Sequence, residues 1–89
     1  MRRIPLLAFY APFLFSVPVS AGQDVTLESL PQAVRATVER ETKGGSITEI
    51  ELETKKGQAS YYEVEFSVGA VKYEVHVALD GRLLLRRLD

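Results

Sequence analysis

Two hydrophobic periods divide this chain. After a polar lead-in, Gln23 to Glu28, the apolar positions Leu30, Val34 and Val38 recur at helical spacing, with Ala33 and Thr37 beside them. Arg35, Glu39 and Arg40 take the opposite side. Ser29-Leu30-Pro31-Gln32 reads as the start of that helix. Ser29 supplies the cap, Gln32 stands three residues on as in a capping box, and Pro31 falls in the first turn, where no amide donor is needed. Gly44-Gly45 stops it, which predicts a helix of about 14 residues, roughly 20 Å long.

From Ser46 onward the period is two. Ser46 to Glu53 alternates Ile50 and Leu52 against Glu49, Glu51 and Glu53, and Thr54 to Gln58 forms a turn. Ser60 to Val68 sets Tyr62, Val64, Phe66 and Val68 against Tyr61, Glu63, Glu65 and Ser67. Gly69-Ala70 reverses the chain into Val71 to Val77, where Val71, Tyr73, Val75 and Val77 oppose Lys72, Glu74 and His76. Asp80-Gly81 is the strongest two-residue hairpin signal, and Arg82 to Leu88 is the last strand. The expected fold is α+β: one N-terminal helix packed on a four-stranded antiparallel meander, with one sheet face dry and the other wet. Phe66 and Val75 belong to the dry face on this phase, and Glu65, Glu74 and His76 to the wet one. In the last strand Leu83 and Leu85 are expected to face the helix, with Leu84 pointing outward on an edge that is unpaired unless the lead-in, Gln23 to Leu27, pairs there.

The segment ahead of these elements has a different character. Arg2 and Arg3 precede an apolar run from Ile4 to Val17 that holds Phe9, Phe13 and Phe15, and Val19-Ser20-Ala21 places small residues where a signal peptidase reads. At about 14 residues the run falls short of the roughly 20 that a spanning helix needs. Pro5 and Pro12 also interrupt it, and Pro18 ends it. Residues 1–21 are therefore expected to be a cleavable signal peptide, and 22–89 a single small domain that is periplasmic or secreted and retains no membrane span. Losing Arg2 and Arg3 leaves 9 basic against 12 acidic residues, so the net charge moves from −1 to −3. That balance argues against nucleic acid or an anionic membrane as partner. The sequence contains no cysteine, so a thin core must hold without disulfides or gain area from a partner.

The order of elements resembles the PepSY domain family. The residues that carry the likeness are Leu30-Pro31, Ala33-Val34, Gly44-Gly45, Ile47, Glu49-Ile50, Tyr62-Glu63-Val64-Glu65, Tyr73-Glu74-Val75, Val77 and Asp80-Gly81-Arg82-Leu83. The resemblance implies a helix followed by a meander, an exported location, and a part in local restraint of a peptidase or in docking on another envelope protein. It implies no shared catalytic residues and no cofactor.

Three features bear on chemistry. Glu49, Glu51, Glu53, Glu63, Glu65 and Glu74 form an acidic ladder on the wet face. It can meet a basic partner, serve a metal-responsive or structural envelope protein by taking up cations, or simply be a solvated face balanced by Lys55, Lys56, Lys72 and the C-terminal arginines. His76 is the only histidine and stands in no nucleophile or metal-ligand pattern, so it is expected at the surface. Leu84 on the last strand, Arg86 and Arg87 as charged gatekeepers, and Tyr61 as an aromatic anchor form a candidate partner surface, for a protein partner or for self-association through that strand.

Overall fold

The computed structural model describes residues 22–89, so the expected signal peptide lies outside the described residues. The elements run β1 (Gln23–Asp24), a 3-10 turn (Leu27–Ser29), α1 (Gln32–Glu41), β2 (Ser46–Glu53), β3 (Tyr61–Val68), β4 (Val71–Ala78) and β5 (Leu83–Leu88). The strands form one antiparallel sheet in the order β1-β2-β3-β4-β5. This corrects the expected architecture in two respects. The sheet has five strands rather than four, and the helix follows the first strand instead of leading the fold. Two residues are too few to show a period, and β1 is held by a distant strand: Gln23 pairs with Leu52, Asp24 with Glu51, and the Val25 amide donates to the Ile50 carbonyl. The lead-in thus lies along β2, at the sheet edge opposite β5.

The helix is shorter than its apolar stripe suggested. Proline disfavours helical backbone in the residue before it, and Leu30 is extended at φ −72°, ψ 146°. Pro31 takes the cap position with no side-chain bond, so α1 begins at Gln32 and spans 10 residues. Ser29 does not cap α1; its hydroxyl donates to the Thr26 carbonyl and closes the preceding 3-10 turn.

The core lies between α1 and one face of the sheet. Val34 and Val38 of the helix are fully buried against Val64, Val75 and Val77, with Phe66, Ile50 and Leu30 completing the cluster. Thr37 shares the buried stripe, and its hydroxyl donates to the Gly81 carbonyl at 2.5 Å, tying the helix to the β4–β5 turn. Gly81 has φ +95°, and a Cβ there would lie 2.8 Å from the Ala33 carbonyl oxygen. No other residue type meets both conditions.

The last strand departs from the expected phase. Tyr73, Glu74, Val75 and His76 face Leu88, Arg87, Arg86 and Leu85, but Val77 faces Leu83, so Leu84 sits unpaired in a bulge. Past the bulge every side chain changes face. Leu85 joins His76 on the open face instead of packing toward the helix. Arg86 lies on the helix side, where its guanidinium covers the rings of Phe66 and Tyr73 at 5.4 and 5.1 Å and donates to the backbone and side chain of Glu41.

Candidate functional site

Directly opposed residues of an antiparallel pair project to the same face. The sheet face away from α1 is therefore a grid that can be read row by row. Asp24, Glu51, Glu63, His76 and Leu85 form one row across all five strands. Glu49, Glu65, Glu74 and Arg87 form the next, and Glu53, Tyr61 and Ala78 a third. Carboxylates oppose carboxylates at Asp24–Glu51, Glu51–Glu63, Glu49–Glu65 and Glu65–Glu74, an arrangement that destabilises a sheet.

Compensation is concentrated at the β4–β5 side. Glu74, expected on the wet face, is only 5% exposed. It is buried because its neighbours close over it: the His76 ring nitrogen lies 2.5 Å from Oε2, and Arg87 donates from Nη2 to both carboxylate oxygens at 3.2 and 3.3 Å. His76 is likewise mostly covered rather than at the surface, because the Tyr61 ring stacks on the imidazole with centroids 4.6 Å apart. Burial disfavours the Glu74 carboxylate, but hydrogen bonds from His76, Glu63 and Arg87 outweigh it and hold its pKa below the ordinary value.

The β2–β3 side has no such cations. Glu51 is pushed up to about 8, because its carboxyl shares hydrogen bonds with Glu49 and then Glu53, with desolvation adding to the effect. Glu63 is pushed up to about 7, first by desolvation and then by its hydrogen bond to Glu74. Desolvation also raises Glu65, helped by the charges of Asp89, Glu49 and Glu74. The Tyr61 hydroxyl is raised by burial and by Glu53, Glu63 and Glu74. Among the described residues no lysine or arginine forms an ion pair with Glu49, Glu51, Glu53, Glu63 or Glu65.

The four residues singled out on the sequence separate. Tyr61 and Arg87 come together around Glu74 and His76 on the open face. Leu84 is 49% exposed in the edge bulge, and Arg86 is held under the helix C-terminus. The convergence of Glu63, Glu74 and His76, each with a ligand-type atom within 4.8 Å of the others, was not anticipated. The Gly69-Ala70 turn carries the signal that finds it. Pairing Val68 with Val71 across that turn fixes Glu63 opposite His76 and Glu65 opposite Glu74. Among the described residues no helix is long and apolar enough to cross a membrane. Comparison with protein-family models, curated proteins and solved structures finds no match.

Proposed function

We propose that the chain is an exported, non-enzymatic binding module whose open sheet face engages a Lys/Arg-rich segment of another envelope protein. One observation carries the reading: carboxylates stand opposite carboxylates across β1, β2, β3 and β4 on a face that no other described element covers. Such rows lower stability in isolation, and a cationic partner supplies the charge they lack. Arg87, Tyr61 and His76 bound the acidic field on one side and give it an aromatic rim. The signal-like residues 1–21 support export. The PepSY likeness supports a partner drawn from the cell envelope, with peptidases as the favoured class.

A second reading is favoured by a single feature, the imidazole standing with two carboxylates at Glu63, Glu74 and His76. That set suits a divalent transition metal. It would have to displace Arg87 from Glu74, which places it behind the cationic-partner reading.

The test uses the exported protein with oligolysine and oligoglutamate peptides of equal length, followed by calorimetry over a salt series. Oligolysine should bind, weaken as salt rises, and lose at least about tenfold in affinity when Glu51 and Glu63 are both changed to Gln, the loss expected when close charge pairs are removed. Equal binding of the two peptides, or no binding of either, rejects the reading. In a zinc titration, selective movement of the His76 ring signals would support the metal site instead.

A further inference from the structure

We propose that cleavage after Ala21 gives the domain its own counter-ion: the α-ammonium created at Gly22 lodges between the Glu51 and Glu53 carboxylates and fastens β1 to β2. The inference rests on the export reading above and extends it to what processing does to the folded domain.

The geometry starts at Gly22, the residue just before β1. An ideal Cβ built on Gly22 would lie 2.5 Å from Glu51 Oε1 and 2.6 Å from Glu53 Oε2. The backbone at this point therefore runs directly against two carboxylate heads, and a side chain would push both away. By standard covalent geometry the Gly22 nitrogen is about 2.5 Å from that Cβ position. It is thus within about 5 Å of either oxygen, and rotation of a new chain terminus closes that gap. Among the described residues, Asp24 on β1, Glu49 on β2, and Tyr61 and Glu63 on β3 flank these two carboxylates, and none of them carries a positive charge.

The chemistry is a hydrolysis. The export peptidase adds water across the Ala21–Gly22 amide, Ala21 keeps the carboxylate, and the Gly22 amine takes up a proton. A neutral amide becomes a cation with three donors, placed where two carboxylates converge. The Glu51 carboxyl is pushed up at this same place by the hydrogen bonds it shares with Glu49 and Glu53.

The sequence supplies the second, independent observation. Val19-Ser20-Ala21 puts the cleavage signal at the one bond whose hydrolysis delivers a cation to this point. A cut one residue later would remove Gly22. A cut several residues earlier would leave the charge on a tail.

The experiment expresses the full chain in an exporting bacterial host and weighs the exported product. A mass beginning at Gly22 is expected. The α-amine of the 15N-labelled product is then titrated by NMR, alongside Glu51→Gln, Glu53→Gln and the double variant. The wild-type amine should titrate at least about one unit above its ordinary range of 7.7–8.0, a tenfold shift in proton affinity, and return to that range in the double variant. Glu51 and Glu53 stand outside the hydrophobic core, so the variants should remain folded. An exported product that begins at Gly22 with an amine in the ordinary range overturns the ion pair and leaves export standing. An exported product that begins at another residue also overturns the ion pair and leaves export standing, whereas a chain that keeps residues 1–21 and stays in the cell overturns both.

Discussion

The two faces of this sheet are made by the same strands, residue by residue in alternation, and they obey opposite rules. On the helix side Val64, Phe66, Val75 and Val77 are almost fully removed from water and pack on Val34 and Val38. One step along each strand stand Glu63, Glu65, Glu74 and His76, whose energetics are set by charge and hydrogen bonds. The dry face stabilises the domain. The acidic face draws on that stability, except where Arg87 and His76 compensate Glu74. The difference teaches where each kind of selection acts: volume decides the first face, and the sign and spacing of charge decide the second.

The largest effect should come from the dry face. Phe66→Ala removes a ring that is 1% exposed and that also carries Arg86. It should cost about 3–5 kcal/mol, enough to unfold so small a domain in a urea melt. Glu74→Ala on the open face should cost less, about 1–3 kcal/mol, the range for stranding the partners of a buried hydrogen-bonded group. Equal costs would mean that the two faces are not energetically distinct.

The smallest effect is a pH dependence, and its sign follows from Glu63. A carboxyl whose folded pKa is raised to about 7 contributes stability that is complete below its unfolded value and is lost as pH rises through 7. Glu74, held below its ordinary value, contributes in the opposite sense, and its share is lost as pH falls through its folded pKa. The melting temperature should therefore be higher at pH 5 than at pH 8, and Glu63→Gln should flatten that slope. A slope unchanged in Glu63→Gln would show that another group governs it. Glu51 adds to the slope in the same sense, and the proposed ammonium at Gly22 would reduce its share.

The two middle strands were legible in the sequence because each has a full run of alternation with one face buried. Val64 and Phe66 against Glu63 and Glu65 admit only one phase. The last strand was misread from Leu84 onward because Leu83-Leu84-Leu85 offers three equivalent residues, and nothing local says which is the bulge. Pairing, not propensity, decides it. The partner of the first strand was not readable for a similar reason, since Gln23 and Asp24 become a strand only by bonding across 27 or more residues to Glu51 and Leu52, not to the last strand. At the open face the residue types and the side were readable. The burial of Glu74 and His76 was not, because it results from Tyr61 and Arg87 closing in from neighbouring strands.

The strand order has a kinetic consequence. From β2 to β5 every strand pairs with its neighbour in sequence, so successive hairpins can form with short loops and little closure entropy. The β1–β2 pairing spans 27 or more residues, the longest separation in the sheet, so β1 is expected to join last. A contact made that late lies on the native side of the folding barrier, so strengthening it slows unfolding and leaves the folding rate nearly unchanged. In a chevron plot, Glu51→Gln and Glu53→Gln would then move the unfolding arm of the cleaved protein alone. Processing at Gly22 would set how long the folded domain lasts, not how fast it forms.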